Sequence, residues 1–159
     1  MLFAVRHKHP WNFLALALFT ACTSYSLGVY VLAFSPAAVF AALALTTSTM
    51  GAMALLAFAL RDRDLSFFGL GLFGVGWCFL ISLFVMSFFS VGPTAHIVTG
   101  GLGAALFSAY VVFDVWLMAS PYRGLDPDEY ILAAANLYLD FVNLLMFFLE
   151  AIGGVQQRS

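Results

Sequence analysis

Residues 136–150 read NLYLDFVNLLMFFLE, an almost wholly apolar stretch that nevertheless contains Asn136, Asp140, Asn143 and Glu150. Asn136, Asp140 and Asn143 are spaced i, i+4 and i+7, so a helix presents them on one face. A charge at the centre of a span costs about 2.5–3.5 kcal/mol, so Asp140 should face a cavity or a partner, or be protonated. Hydrogen bonding between helices accounts for the two asparagines. Glu150 is interpreted as an interfacial acid whose side chain extends to the membrane boundary. The stretch predicts a membrane helix with one polar face.

The composition of the whole chain is typical of membrane proteins. Of its 159 residues, 64% are hydrophobic and only 9% are charged, whereas about a quarter of the residues in a soluble domain are charged. So few charges cannot cover a water-facing surface. The net charge of -2 says nothing about partners, and the sequence shows no basic face for nucleic acid. Cys22 and Cys78 lie in apolar runs, without the spacing of a metal or redox site.

Five apolar runs are each long enough to cross a bilayer, which takes about 20 residues. The first run, of about 24 residues, is longer than the hydrophobic core of a signal peptide. Pro36 cannot continue a helical ladder, and the RDRD segment at residues 61–64 is too polar for hydrocarbon. We therefore predict an all-α fold, a polytopic transmembrane helix bundle that forms a single domain over residues 1–159. The predicted spans cover residues 11–34, 37–60, 66–88, 95–119 and 130–152.

Basic residues predict the orientation of these spans. With five crossings, one side of the membrane receives five of the six Lys and Arg residues. The positive-inside rule makes that side cytoplasmic, so we expect a cytoplasmic N-terminus and a C-terminus, with Arg158, on the opposite side. The five residues on the cytoplasmic side are Arg6, Lys8, Arg61, Arg63 and Arg123.

The fourth span contains a second acid, Asp114, in the segment YVVFDVWLMA at residues 110–119. Helical spacing places Tyr110 on the same face. If Asp114 and Asp140 both face inward, they can meet and share a proton, because two close carboxylates cannot both ionise cheaply. Two oxygen ligands on a water-accessible path also suit Ca²⁺. The alternative is a neutral hydrogen-bonded pair that only stabilises helix packing. The remaining residues on the face of Asp114 are His96, Gly100, Gly103 and Phe107.

The depths of the two acids in the membrane must match if they are to meet. The segment DPDE at residues 126–129 has the residue types of a helix N-terminus. A helix that begins at Pro127 places Asp140 about 20 Å along its axis, whereas Asp114 lies near the end of its span. We therefore expect the last helix to begin outside the hydrocarbon or to be tilted.

Three segments carry a resemblance to a known family. Residues 7–31 (HKHPWNFLALALFTACTSYSLGVYV) and 126–149 (DPDEYILAAANLYLDFVNLLMFFL) resemble the transmembrane BAX-inhibitor-motif family, in particular its Lifeguard and glutamate-receptor-associated branch. Residues 113–119 (FDVWLMA) are similar to the aspartate segment that ends the family's penultimate helix. The resemblance implies a Bax-inhibitor-like fold of seven helices.

The resemblance also implies a function for the acids. In such proteins an aspartate in each of the last two helices forms a pH-sensitive latch for a calcium leak. On this chain these are Asp114 and Asp140, which would bind Ca²⁺ transiently, and the supporting polar face is Asn136, Asn143 and Tyr110. The family is associated with endomembranes (endoplasmic reticulum, Golgi and lysosome) and with suppression of cell death. Calcium is then the permeant ion, and no cofactor is expected.

The chain departs from the family pattern in three places. It begins where the family's third helix begins, so we expect the first two helices to be missing. Val115 and Trp116 stand where the family usually has Thr and Gln, and Thr23 stands where many members have an acid.

The leading hypothesis is an endomembrane Ca²⁺-leak protein involved in calcium homeostasis and negative regulation of apoptosis. A shared proton holds the aspartates together at low pH, and charge repulsion opens a path at higher pH. The alternative is a non-conducting adaptor that binds apoptosis regulators or membrane receptors through its helices. A third reading, an intramembrane aspartyl protease, is disfavoured because the aspartates lack flanking glycines, so we expect no enzyme. The expected partners are the lipid bilayer and calcium ions, with no nucleic acid.

Overall fold

The computed structural model describes residues 11–89, 92–121 and 130–158, and this part of the chain is helical, with no strand. Every helix is long and apolar enough to cross a membrane, by length and composition. The prediction of an all-α polytopic bundle is therefore confirmed. The helices are α1 (Trp11–Val31), α2 (Pro36–Ala59), α3 (Ser66–Met86), α4 (Pro93–Ala119) and α5 (Tyr130–Arg158).

The helix boundaries follow local chemistry. Ser35 precedes α2 in an extended conformation and its hydroxyl accepts a hydrogen bond from the Ala38 amide at 3.3 Å, which satisfies one of the free amides of a helix start. Pro36 and Pro93 occupy the first turns of α2 and α4, where the missing amide removes no helical bond. The capping segment expected at residues 126–129 lies outside the described residues.

Two predicted spans end three or more residues away from the expected position. The first was expected to reach residue 34, but α1 ends at Val31 and turns occupy the next three positions. The last was expected to end at residue 152, but α5 continues to Arg158. The tail after Ile152 contains no proline, and a polar sequence can extend a helix into water once the apolar part has formed it. Hydropathy therefore predicted the apolar part of α5 and missed its polar end.

Helices α4 and α5 form the largest interface of the bundle, and α2 packs against both. One buried cluster joins α2 to α4 around the fully buried Trp116. The Trp116 indole donates to the carbonyl of Arg63 at 2.9 Å, which connects the end of α4 to the α2–α3 connection. A second cluster joins α2 to α5 around Leu145 and Leu149. Helix α1 packs on α5, and α3 packs on α4 at the edge of the bundle.

Glycines on α4 permit the close approach of α5. A Cβ atom placed on Gly100 would lie 2.5 Å from the Ala151 amide nitrogen and 2.7 Å from the Phe147 carbonyl oxygen. A Cβ atom on Gly103 would overlap the Phe147 ring. These glycines share the helix face that sequence analysis assigned to close contact, and the short distance between α4 and α5 brings their polar side chains together.

Candidate functional site

The structure brings Asp114 of α4 and Asp140 of α5 together, with their side chains hydrogen-bonded to one another. Asp114 is partly buried and Asp140 is only 5% exposed. Ten residues of α5 precede Asp140, whereas only five residues of α4 follow Asp114. The two acids therefore meet although they lie at different distances from the ends of their helices, and the helix start expected at Pro127 lies outside the described residues.

A cavity of about 270 Å³ adjoins the aspartates. Water occupies about 30 Å³ per molecule in the liquid, so this space has room for several waters or for a partly hydrated cation. All five candidate residues predicted from the sequence line it, which follows from their placement on facing stripes of α4 and α5. The lining residues are Phe107, Tyr110, Asp114, Asn136, Leu139, Asp140 and Asn143.

One oxygen of the aspartate pair lacks a partner. Asp140 Oδ2 is buried and accepts no hydrogen bond from the described residues. Leaving a buried polar atom unpaired costs about 1–3 kcal/mol, so this oxygen favours a proton, a water molecule or a cation from the cavity. No cationic side chain in the described part of the chain forms an ion pair with either aspartate. Within the described part of the chain, protons or ions from solution are therefore the source of any charge that balances the pair.

Tyr110 connects this cavity to α3. Its hydroxyl donates to the carbonyl of Leu72 at 3.0 Å, and it lies where a Cβ atom on Gly76 would overlap it. The ring thus lines the aspartate cavity while the hydroxyl anchors α3. Helical spacing predicted that Tyr110 shares the face of Asp114. It could not predict the hydrogen bond from Tyr110 to Leu72 on α3.

A second polar cluster was missed by sequence reasoning. His96 Nδ1 lies 3.1 Å from Glu150 Oε1, and the Thr99 hydroxyl donates to the same oxygen at 2.8 Å. The interpretation of Glu150 as an interfacial acid did not include these partners, which hold its carboxylate against α4. The available signal was that His96 shares the face of Asp114 while Glu150 lies near the stripe of Asp140.

Thr23 stands where many members of the BAX-inhibitor-motif family have an acidic residue. Its Oγ1 atom lies 2.9 Å from the carbonyl oxygen of Phe19 and 3.1 Å from the hydroxyl of Tyr138. Thr23 therefore connects α1 to α5 and is not among the residues that line the aspartate cavity. Among its described side chains, α1 contributes none to the lining of that cavity.

Comparison with known proteins identifies relatives over most of the chain. The model of the family Inhibitor of apoptosis-promoting Bax1 (Bax1-I) matches residues 1–158. The chain is 37% identical to a BI1-like protein of Arabidopsis thaliana over 147 residues, which are 91% of this chain and 56% of the relative. It is 35% identical to Protein lifeguard 4 of Mus musculus over 154 residues, or 96% of this chain and 62% of the relative.

A viral relative shows the same extent of similarity. The chain is 34% identical to the Golgi anti-apoptotic protein of Vaccinia virus (strain Lister) over 148 residues, which cover 92% of this chain and 60% of that protein. The chain thus spans 56–62% of the length of these three relatives. The match over residues 1–158, together with five apolar helices and relatives at 34–37% identity, confirms the resemblance, and the chain belongs to the Bax1-I family.

Proposed function

We propose that the chain forms a pH-sensitive calcium leak in an endomembrane, and that it acts in calcium homeostasis and in the negative regulation of apoptosis. The observation that carries the proposal is the hydrogen-bonded pair Asp114–Asp140 beside a polar cavity. Intramembrane acids are costly and commonly mark proton or ion pathways. The names of the relatives, a Golgi anti-apoptotic protein and a lifeguard protein, support the setting.

Protons provide the closing force of the latch. Two carboxyl groups at hydrogen-bonding distance cannot both ionise at low cost, so at acid pH the pair shares a proton and holds α4 against α5. At higher pH both groups lose their protons, and repulsion between the two charges is strong where few polar groups screen it. The sign follows directly: the leak is closed at low pH and opens as pH rises.

Calcium is the permeant ion of the proposed leak. Ca²⁺ prefers six to eight oxygen ligands, from carboxylates, amide carbonyls and water. Asp114 and Asp140 supply carboxylates, and Asn136 and Asn143, whose side-chain amides contain oxygen ligands, line the same cavity. An ionised pair would therefore attract the cation that its charge repulsion has admitted. Binding must remain weak, because a leak needs the ion to depart.

The proposed orientation places the aspartate pair toward the cytoplasmic face. The hydrogen bond from Trp116 to Arg63 puts the end of α4 beside the α2–α3 connection. Arg61 and Arg63 lie in that connection, so two basic residues belong to this end of the bundle, and Arg123 follows α4 in the sequence. The positive-inside rule supports a cytoplasmic location for this end and hence a cytoplasmic N-terminus.

A non-conducting adaptor is the second candidate function. Helix α3 presents large apolar side chains outward, with Phe67 86% exposed. Its main packing partner is α4. Such a face suits lipid or the helix of an apoptosis regulator or a membrane receptor. No enzymatic activity is proposed for either function.

The test is Ca²⁺ efflux from liposomes that contain the folded chain, measured from about pH 5 to pH 8 for wild type and Asp140→Asn. We expect a leak that rises with pH in the wild type and a flat profile in the variant, since asparagine cannot lose a proton. Asp62→Asn is the matched control, because it makes the same chemical change on an exposed carboxylate in the α2–α3 connection. Absence of efflux at every pH, from protein with native helicity, would rule out the channel and leave the adaptor.

A further inference from the structure

We propose that His96 and Glu150 form a second proton-binding site, which clamps the opposite end of the α4–α5 interface when His96 is protonated. The proposal does not depend on ion conduction, because it concerns the contact between two helices. It rests on four features of the structure: a direct contact between the two side chains, a shared oxygen acceptor, an adjoining cavity and separation from the aspartates.

The contact joins one titratable side chain from each helix. His96 Nδ1 lies 3.1 Å from Glu150 Oε1, with side chains 39% and 21% exposed. Both side chains are therefore exposed enough to exchange protons with water. They are also buried enough that solvent only partly screens the interaction between their charges. The Thr99 hydroxyl donates to the same oxygen at 2.8 Å, which orients the carboxylate toward α4 at every pH. Histidine is the side chain that ordinarily changes charge between about pH 5 and 8.

A cavity of about 160 Å³ adjoins the contact. Its volume accommodates a few water molecules, which can deliver protons to the imidazole. Helix α3 closes one side with residues that do not titrate. The lining residues are Leu83, Met86, Ser87, His96, Thr99 and Glu150.

The surrounding helices contribute few other titratable groups. On α1, Tyr30 is close enough to Glu150 to interact with it electrostatically. Helix α2 contains no titratable residue, and the single one on α3, Cys78, is exposed and does not line the cavity. Among the described side chains, His96, Glu150 and Tyr30 are therefore the titratable groups at this contact, and Arg158 ends α5 eight residues after Glu150.

The site is separate from the aspartate pair. Glu150 follows Asp140 by ten residues of α5, which is about 15 Å of helix. His96 precedes Asp114 by 18 residues of α4, which is about 27 Å. The packing of the Phe147 ring against Gly103 lies between the two polar clusters, so each proton-binding group can act on its own end of the interface.

The sign of the effect follows from the charges. At acid pH an imidazolium beside a carboxylate forms a charge-assisted hydrogen bond, which is about twice as strong as a neutral one. At alkaline pH the neutral imidazole can still donate to the Glu150 carboxylate, but the attraction between the two opposite charges is lost. The end of the interface near His96 is therefore tighter at pH 5.5 than at pH 8.

Spin-label distances across the interface test this proposal. Cys22 and Cys78 are first replaced by serine, and labels are then attached to cysteines introduced at the exposed positions Thr94 and Gln157. In liposomes we expect one narrow distance distribution at pH 5.5 and a broader one, with a longer mean, at pH 8. His96→Gln should abolish this pH response, since glutamine can hydrogen-bond to Glu150 but cannot titrate.

A second label pair separates this site from the aspartates. Labels at the exposed positions Met118 and Ala134 report on the end that contains Asp114 and Asp140. His96→Gln should leave the pH response of the Met118–Ala134 distance as in the wild type. If His96→Gln misfolds, Glu150→Gln should abolish the pH response of the Thr94–Gln157 distance in its place. The proposal is overturned if the Thr94–Gln157 distances do not respond to pH, or if the response persists in a folded variant. Failure of the calcium leak would instead appear in the efflux assay and leave these distances unaffected.

Discussion

The close approach of α4 and α5 predicts a large difference between two adjacent glycines. A Cβ atom on Gly100 would lie 2.5 Å from the Ala151 nitrogen and 2.8 Å from the Ala151 Cβ atom, whereas ordinary contacts fall near 3.5–4.0 Å. Because two of the three close atoms belong to the α5 backbone, rotamer changes cannot relieve the overlap. Gly100→Ala must therefore separate the helices locally by about 1 Å. On Gly101, the added Cβ atom would meet nothing within 4 Å.

The magnitude follows from two opposing contributions. Replacing glycine by alanine within a helix stabilises it by about 1 kcal/mol, and both variants receive this contribution. Overpacking a tight interface costs about 1–3 kcal/mol, and only Gly100→Ala incurs it. Gly100→Ala should therefore be less stable than Gly101→Ala by about 1–3 kcal/mol.

The assay is thermal unfolding of the two purified variants in detergent, with the wild type measured alongside. We expect the unfolding midpoint of Gly101→Ala to equal or exceed that of the wild type, and that of Gly100→Ala to lie clearly below that of Gly101→Ala. Equal midpoints for the two variants would refute the reasoning, because α4 and α5 would then be too far apart at Gly100 to form the described interface.

Three further outcomes are expected. Tyr110→Phe removes the hydrogen bond to the Leu72 carbonyl and should destabilise the protein by about 0.5–1.5 kcal/mol, with faster amide exchange in α3 than in α2. Trp116→Phe loses the bond to the Arg63 carbonyl and part of a buried ring, which should cost about 1–3 kcal/mol in chemical unfolding; an unchanged midpoint would contradict the role of Trp116 at this end. Asp114→Asn should flatten the pH profile of Ca²⁺ efflux as Asp140→Asn does, and a retained profile would show that the two acids do not act as a pair.

Much of the aspartate site could be predicted from the sequence, because a costly group in a membrane helix restricts its own surroundings. An acid in hydrocarbon must face protein or water, and helical spacing then assigns Tyr110 and Asn136 to the same side as the acids. The glycine stripe on α4 indicated where a second backbone could approach. These arguments use distances along one helix, which the sequence contains directly.

The partners of Glu150 and Thr23 could not be predicted in the same way. In a soluble protein, the polar face of a helix identifies its buried face by exclusion. In a bilayer, both the lipid-facing and the buried face are apolar, so rotation about the helix axis is set by packing. The His96–Glu150 contact and the Tyr110–Leu72 bond depend on that rotation.

The sequence by itself determined the helical class, the number of apolar spans and the presence of an acid in each of the last two. It could do so because the bilayer demands long apolar helices whose backbone groups bond internally. The tertiary structure decided that Asp114 and Asp140 meet, that Asp140 Oδ2 lacks a partner in the described part of the chain, and that a second polar contact joins His96 to Glu150. Those outcomes depend on the axial register between α4 and α5, which is set where the α5 backbone packs on Gly100.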